Sequence, residues 1–215
     1  MPVCECRCRP KVFAVATLAA AAAWPAYLLT IRRWQARWGT TPAEAQAAMP
    51  GDDIVDGPWD VSTRAVTIAA TPEQVWPWLA QMGYQRGGMY SYDWIDQVLG
   101  VLDSPSSDQV LPEFQDLQPG DEIPMGNSPG WPVAAVETNR SLVLDIRFPG
   151  IHISWCFLLD AIDEENTRLI LRIRIKLRPW VHVISSFPVS DFGQFLMTRR
   201  MLLGIKERAE SLAQE

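Results

Sequence analysis

Arg168-Leu169-Ile170-Leu171-Arg172-Ile173-Arg174-Ile175-Lys176-Leu177-Arg178, followed ten residues on by the run from Val189 to Gln214, decides how the rest of the chain must fold. In the first stretch Leu169, Leu171, Ile173, Ile175 and Leu177 share one parity, and Arg168, Arg172, Arg174, Lys176 and Arg178 share the other. That period of two predicts a strand with one face inside and one wet. From Val189 the spacing changes: Phe192, Phe195, Leu202, Ile205, Ala209 and Leu212 recur at three- and four-residue intervals, predicting a long amphipathic helix. Neither apolar face is stable in water, so the helix must lie on the strand's apolar side.

Upstream of this pair the pattern is strand upon strand. Val133 to Glu137, Leu142 to Arg147 and Ile151 to Asp160 read as extended runs, separated by turns such as Glu137-Thr138-Asn139-Arg140 and Asp163-Glu164-Glu165-Asn166. Short turns imply antiparallel neighbours. Thr63 to Ala70 predicts one more strand, and Thr71-Pro72-Glu73-Gln74 a capping box opening a helix to about Met82, kinked at Pro77. Gly87 and Gly88 hinge an aromatic loop from Arg86 to Trp94, and Asp93 is placed to cap a short helix ending near Leu99. Residues 103–130 are rich in Pro, Ser, Asp and Gly, with short extended pieces around Val110 and Ile123. The class is therefore α+β, a curved antiparallel sheet wrapped around a long C-terminal helix.

The chain has 215 residues, enough for one sizeable core with an appendage. Residues 1–40 carry six basic groups against one acidic, and the remainder 13 against 24, so the N-terminus is a different object from the body. A net charge of −6 argues against a nucleic-acid partner. Val12 to Ile31 holds twenty residues without a charged side chain, long enough as a helix to cross the roughly 30 Å hydrocarbon layer. Arg32, Arg33, Trp34, Arg37 and Trp38 follow it as interfacial anchors do. The expectation is an N-terminal tail (1–11), a transmembrane helix (12–31), a juxtamembrane segment and linker (32–62) and a folded domain (63–215). The competing reading is a cleaved secretory signal. Arg7, Arg9 and Lys11 balance Arg32, Arg33 and Arg37 across the span, so a single-pass orientation stays open. Thr41-Pro42-Ala43-Glu44 caps a linker helix, and residues 39–62 read as a tether. Cys4, Cys6 and Cys8 lie in the tail and Cys156 alone in the body, so neither a disulfide framework nor a complete metal site is expected.

The order strand, helices, antiparallel strands, long helix resembles the helix-grip superfamily of START and polyketide-cyclase/dehydrase-like proteins (SRPBCC). The strings that resemble an uncharacterised bacterial branch of it are Thr71 to Leu79, Arg86 to Trp94, Leu111 to Asp121 and Met201 to Glu210. The resemblance covers roughly residues 39–213. It implies a fold with a cavity between the long helix and the sheet that holds a hydrophobic small molecule or lipid, and it brings no catalytic residues.

Candidates for that cavity are aromatic. Trp155 shares parity with Ile151, Ile153, Phe157 and Leu159 and so points inward, toward the side that Phe195 and Leu202 should cover. Tyr90, Tyr92 and Trp94 lie on the glycine-hinged loop, where binding residues gather. With Trp131 they make six candidate ligand-binding residues: Tyr90, Tyr92, Trp94, Trp131, Trp155 and Phe195. Each could equally be core. An enzyme, cyclase- or dehydratase-like, would use Tyr90, Tyr92 or Asp93 in the same pocket. His152 falls on the parity opposite Trp155, and His182 follows Pro179-Trp180 in the turn before the helix, so neither is a convincing base. No nucleophile constellation and no phosphate loop appears, no cofactor is expected, and catalysis has little support. The basic row from Arg168 to Arg178 could attract an anionic membrane, or else face Glu137, Asp145 and Asp160 on adjoining strands.

Overall fold

In the computed structural model, Tyr27, residues 29–178 and residues 188–214 are described. The chain divides into two units, one ending at Gln35 and one beginning at Ala36. The expected span 12–31 lies outside the described residues except for Tyr27 and 29–31, as do Cys4, Cys6, Cys8 and His182. Among the described residues no helix is long and apolar enough to cross a membrane.

The elements run α1 (Ile31–Ala36), α2 (Pro42–Gln46), β1 (Asp60–Ile68), α3 (Pro72–Ala80), α4 (Asp93–Val98), a 3-10 turn (Pro112–Phe114), β2 (Glu122–Met125), β3 (Ser128–Glu137), β4 (Ser141–Phe148), β5 (Ile151–Ala161), β6 (Thr167–Leu177) and α5 (Pro188–Leu212). The strands form one sheet in the order β1-β6-β5-β4-β3-β2, with every pairing antiparallel. Short turns dictate the run β2 to β6, and β1 then closes onto β6, with Arg64 opposite Leu171. Register shifts between Val133 and Ala135 in β3 and between Ile123 and Met125 in β2 are irregularities of the kind that bend a sheet. This is the α+β architecture read from the sequence. Two edges differ: β1 starts three residues earlier than expected, and β3 reaches back to Ser128.

Helix starts follow their caps. Thr41 Oγ1 accepts from Glu44 N at 3.2 Å while Glu44 Oε2 accepts from Thr41 N at 2.7 Å, and Gln74 Oε1 accepts from Thr71 N at 2.9 Å. Pro77 sits inside α3, which continues to Ala80. On the concave face Ile68, Leu79, Phe157, Leu169, Leu171, Leu202, Ile205 and Ala209 belong to one buried cluster that also holds Trp78 and Tyr90. Burying a side chain of the size of Leu202 or Ile205 contributes roughly 1.5 to 3 kcal/mol. Helix α5 makes its main contacts with β1 and α3. Gly204 lets it come close to the aromatic loop, because a Cβ there would stand 2.2 Å from the Tyr90 carbonyl oxygen.

The other face of β6 is not wet, which corrects the sequence expectation. Residues 38–56 are no free tether but a strap laid across the basic row. Arg172, 4% exposed, directs its five N–H groups to five acceptors. Nε donates to Thr63 Oγ1 at 3.1 Å; Nη1 to Ala47 O at 2.7 Å and Asp52 Oδ2 at 2.8 Å; Nη2 to Glu44 O at 3.0 Å and Ala45 O at 3.2 Å. Arg168 grips the Glu44 carboxylate with two nitrogens, at 2.7 and 3.0 Å, and also donates to the Gly39 carbonyl. Arg174 donates to Val55 O at 3.3 Å and Lys176 to Asp56 O at 2.8 Å. The guanidinium of Arg168 holds the Glu44 carboxyl down at about 2. Under the strap Met49, Ala65, Val143, Cys156 and Ile170 form a second apolar cluster, whose burial pushes the Cys156 thiol up to about 12. Of the acidic neighbours expected to meet the row, Asp145 is taken by Arg147 and His152 at 2.9 and 2.8 Å, and Glu137 by Arg140 at 2.9 Å.

Truncating Arg172 leaves three backbone carbonyls without their donor and takes from Asp52 its closest cation, with only Met49 N–H and the more distant Arg174 remaining, and breaking a buried pair of this kind costs about 3 to 5 kcal/mol. Arg172→Ala is expected to lower the unfolding free energy measured by urea denaturation by an amount in that range, whereas Arg140→Ala, at an exposed pair, should leave it nearly unchanged.

Candidate functional site

Helix α5 packs closest on β1 and α3, at one side of the sheet, and over β3 to β6 a hollow of about 300 Å³ remains. Its floor comes from alternate positions of adjacent strands: Trp131 from β3, Ile146 and Phe148 from β4, Ile153 and Trp155 from β5, and Ile173 from β6. These share a face because antiparallel register sets Trp155 opposite Leu144 and Ile173, and Ile153 opposite Ile146 and Ile175. The roof is the first half of α5, through Gln194, Met197, Thr198 and Met201. The remaining wall is Met89, Ser91, Asp96 and Val101, from the aromatic loop and α4, with Met125 of β2 beside them.

Trp131 and Trp155 lie with ring centroids 4.6 Å apart at 59°, and Trp155 continues to Phe157 at 5.4 Å. Indole planes tilted in this way give a broad apolar surface. Against it stand four polar side chains, Ser91, Asp96, Gln194 and Thr198. Asp96 is 4% exposed, and Ser91 Oγ donates to its Oδ2. Burial pushes the Asp96 carboxyl above the usual carboxylate range, the Ser91 hydrogen bond pulls it back, and the nearby Asp93 charge pushes it further up.

Of the six aromatic candidates, the structure brings Trp131 and Trp155 together on the cavity wall and puts the other four elsewhere. Tyr90 lies behind the wall, with its ring edge-on to Trp78 at 6.0 Å and beneath the Arg208 guanidinium at 4.9 Å; burial drives its hydroxyl pKa well up. Tyr92 caps the start of α4 and does not line the hollow. Trp94 turns outward and is 68% exposed, as are Val98 and Leu99. Phe195 is one step round the helix from Gln194 and packs on Trp38 at 6.4 Å and under Arg64 at 5.7 Å. Asp93 is not the N-cap expected for α4. Its carboxylate accepts from Ser106 N at 3.1 Å and Ser106 Oγ at 2.6 Å, and Ser106 Oγ in turn accepts from Tyr90 N at 3.0 Å. That network pins the 103–107 loop to the aromatic loop and stays out of the cavity.

Asp96 is the residue that reading the sequence missed. Helix α4 is inverted relative to ordinary amphipathic logic, with Trp94, Val98 and Leu99 outside and the carboxylate inside. The signal available was a carboxylate three residues after Asp93 with Ser91 within reach, on a helix too short for its periodicity to choose a face. His152 lies on the opposite side of β5 from Trp155, as expected, where Asp145 holds it at 2.8 Å.

No protein-family model matches the sequence, and no curated protein matches it. Among solved structures, a Mesorhizobium loti protein is similar over 72% of this chain and 97% of its own, at 16% identity and a TM-score of 0.39. A Thermobifida fusca protein solved by NMR is similar over 71% and 94%, at 15% identity and 0.43. Truncated norcoclaurine synthase from Thalictrum flavum is similar over 73% and 94%, at 11% identity and 0.41.

The raised carboxyl of Asp96 makes a signed prediction. The folded state holds this proton more firmly than the unfolded chain does, so Asp96 works against folding as pH climbs from its ordinary value of 3.8 through the raised one. Asp96→Asn does not titrate. Relative to wild type, the variant should gain stability as pH rises through that window in urea denaturation between about pH 4 and 7. A difference flat in pH would show Asp96 titrating in its ordinary range.

Proposed function

We propose that the chain is a member of the SRPBCC superfamily that holds an apolar small molecule or lipid in the hollow between α5 and the sheet, with residues 12–31 fixing it to a membrane as a single pass. One observation carries the binding reading: a partly open hollow of about 300 Å³ faced by two tryptophans, a phenylalanine, three isoleucines and four methionines. A space of this size lies at the lower end for ligand pockets. At about 30 Å³ per water-sized group it admits a body on the order of ten non-hydrogen atoms.

A second reading is favoured by Asp96 alone. A carboxyl group buried in an apolar cavity with a raised pKa is suited to move a proton on a bound molecule, as in a cyclase-like reaction.

Native mass spectrometry of the full chain extracted from membranes should show an adduct of an apolar compound. Met197→Phe, which thrusts a ring into the hollow from α5, should remove the adduct and leave the thermal midpoint within a few degrees. Retention of the adduct by that variant would place the ligand elsewhere, and mass change of the compound on incubation with wild type but not Asp96→Asn would favour the enzyme. For the tether, alkaline extraction of cell membranes should leave the full chain in the pellet; release into the supernatant would overturn it.

A further inference from the structure

The cavity has more to say about its occupant than that it is apolar. Asp96 is the one ionisable side chain on the wall among the described residues, and no Lys, Arg or His lines it. Among the described residues no ion pair to Asp96 is found: Arg200, which feels the charges of Asp93 and Tyr92, is bound to Glu207 at 2.7 Å, and Arg208 is bound to Asp108 at 2.7 Å and to the Ser107 carbonyl. Ser91 satisfies one carboxylate oxygen, Oδ2. For Oδ1, and for the side-chain polar atoms of Thr198 and Gln194 on the facing helix, no protein partner exists among the described residues. These atoms open onto the hollow, and on its floor the Trp155 indole N–H is buried with no acceptor among the described residues, so the polar atoms of a ligand have both an acceptor and a donor to meet there.

The sign of the charge selects the ligand. A carboxylate without a counter-ion in a largely apolar, partly open hollow repels a second anion, and it gains from any donor that reaches Oδ1. Asp93, three residues earlier, adds to the same negative field. On the opposite wall the tilted Trp131–Trp155 pair offers a face suited to a flat ring system.

We infer that the cavity takes a flat, apolar small molecule carrying a single hydrogen-bond-donating head, hydroxyl or amine, with the head on Asp96 Oδ1 beside Thr198 and the rings on Trp131 and Trp155, and that it rejects carboxylate-headed molecules of the same shape. This rests on the ligand-binding reading above, and it narrows that reading from apolar molecules in general to donor-headed ones, against free fatty acids and other anionic amphiphiles.

Four probes of one shape separate the two claims: naphthalene, naphthylmethanol, naphthylmethylamine and naphthoate. The full chain in lipid nanodiscs is titrated with each, and occupancy is read from the methyl resonances of Met125, Met197 and Met201 on the cavity wall, with Met49 under the strap as the internal reference. The expected result is that naphthalene shifts the three wall methionines and not Met49. The alcohol or the amine, or both, should bind at least about tenfold more tightly than naphthoate, the ratio that a hydrogen bond to a charged group supports. Asp96→Asn should erase that ratio while leaving naphthalene unchanged. A gain confined to the amine assigns an ammonium head, and equal gains assign a hydroxyl. If naphthalene and all three derivatives leave the wall methionines unmoved, the ligand-binding reading itself is overturned. If naphthalene binds and naphthoate binds as well as the alcohol and amine, the donor-head inference falls and the apolar cavity stands. Should Asp96→Asn fail to fold, the wild-type series decides between these outcomes by itself.

Discussion

Strand β6 is buried on both sides, and its two sides want opposite things. Leu169, Leu171 and Ile173 need apolar cover, while the buried Arg172 cannot leave water unless its guanidinium protons find acceptors. The molecule is organised around meeting both demands at once: one face is capped by helix α5 and its neighbours, the other by a polar strap whose backbone carbonyls serve as the acceptors. Carbonyl oxygens of residues 44–47 are available because α2 is only five residues long. The end of a short helix leaves its last carbonyls free, and Arg172 collects three of them, from Glu44, Ala45 and Ala47.

The concave side behaves differently along its length. Near β1 the space is filled, since Leu202, Ile205 and Ala209 interlock with Trp78 and Leu79. Toward β3 and β4 the wall is made of large rings set at an angle to one another, which do not nest into the facing methionines as branched aliphatics would. The hollow lies on the side of the sheet where β2 and β3 carry their register shifts. Asp96 enters it from a short helix whose position is fixed from outside, through Asp93 and Ser106, two residues that do not themselves line the cavity.

What could be read from the residues in order was the part governed by period. Five strands and the terminal helix are found where alternation, turns and three-to-four spacing place them, and Trp155 faces inward because parity requires it. Three things escaped. The strap was invisible because its acceptors are main-chain oxygens, which leave no mark in composition, and because Met49 to Asp56 reads as a string of breakers. Helix α4 makes under two turns, so spacing alone could not tell which side was inside, and the apolar Trp94 was preferred to Asp96. Phe195 shows a limit of another kind: a wide apolar face on a helix tells which residues are covered but not by which neighbour, and here Trp38 and Arg64 claim the ring.

The strap also has a mechanical meaning. Its contacts follow β6 from one end to the other in sequence order, with Gly39 and Glu44 at Arg168, Ala47 and Asp52 at Arg172, Val55 at Arg174 and Asp56 at Lys176. Tension arriving along the chain from residues before Ala36 is therefore taken up rung by rung, as a rope is held by a row of cleats, before any of it reaches the first residue of β1. Such a load would be shared along the length of β6, a strand paired on both sides, instead of falling on the unpaired edge of β1.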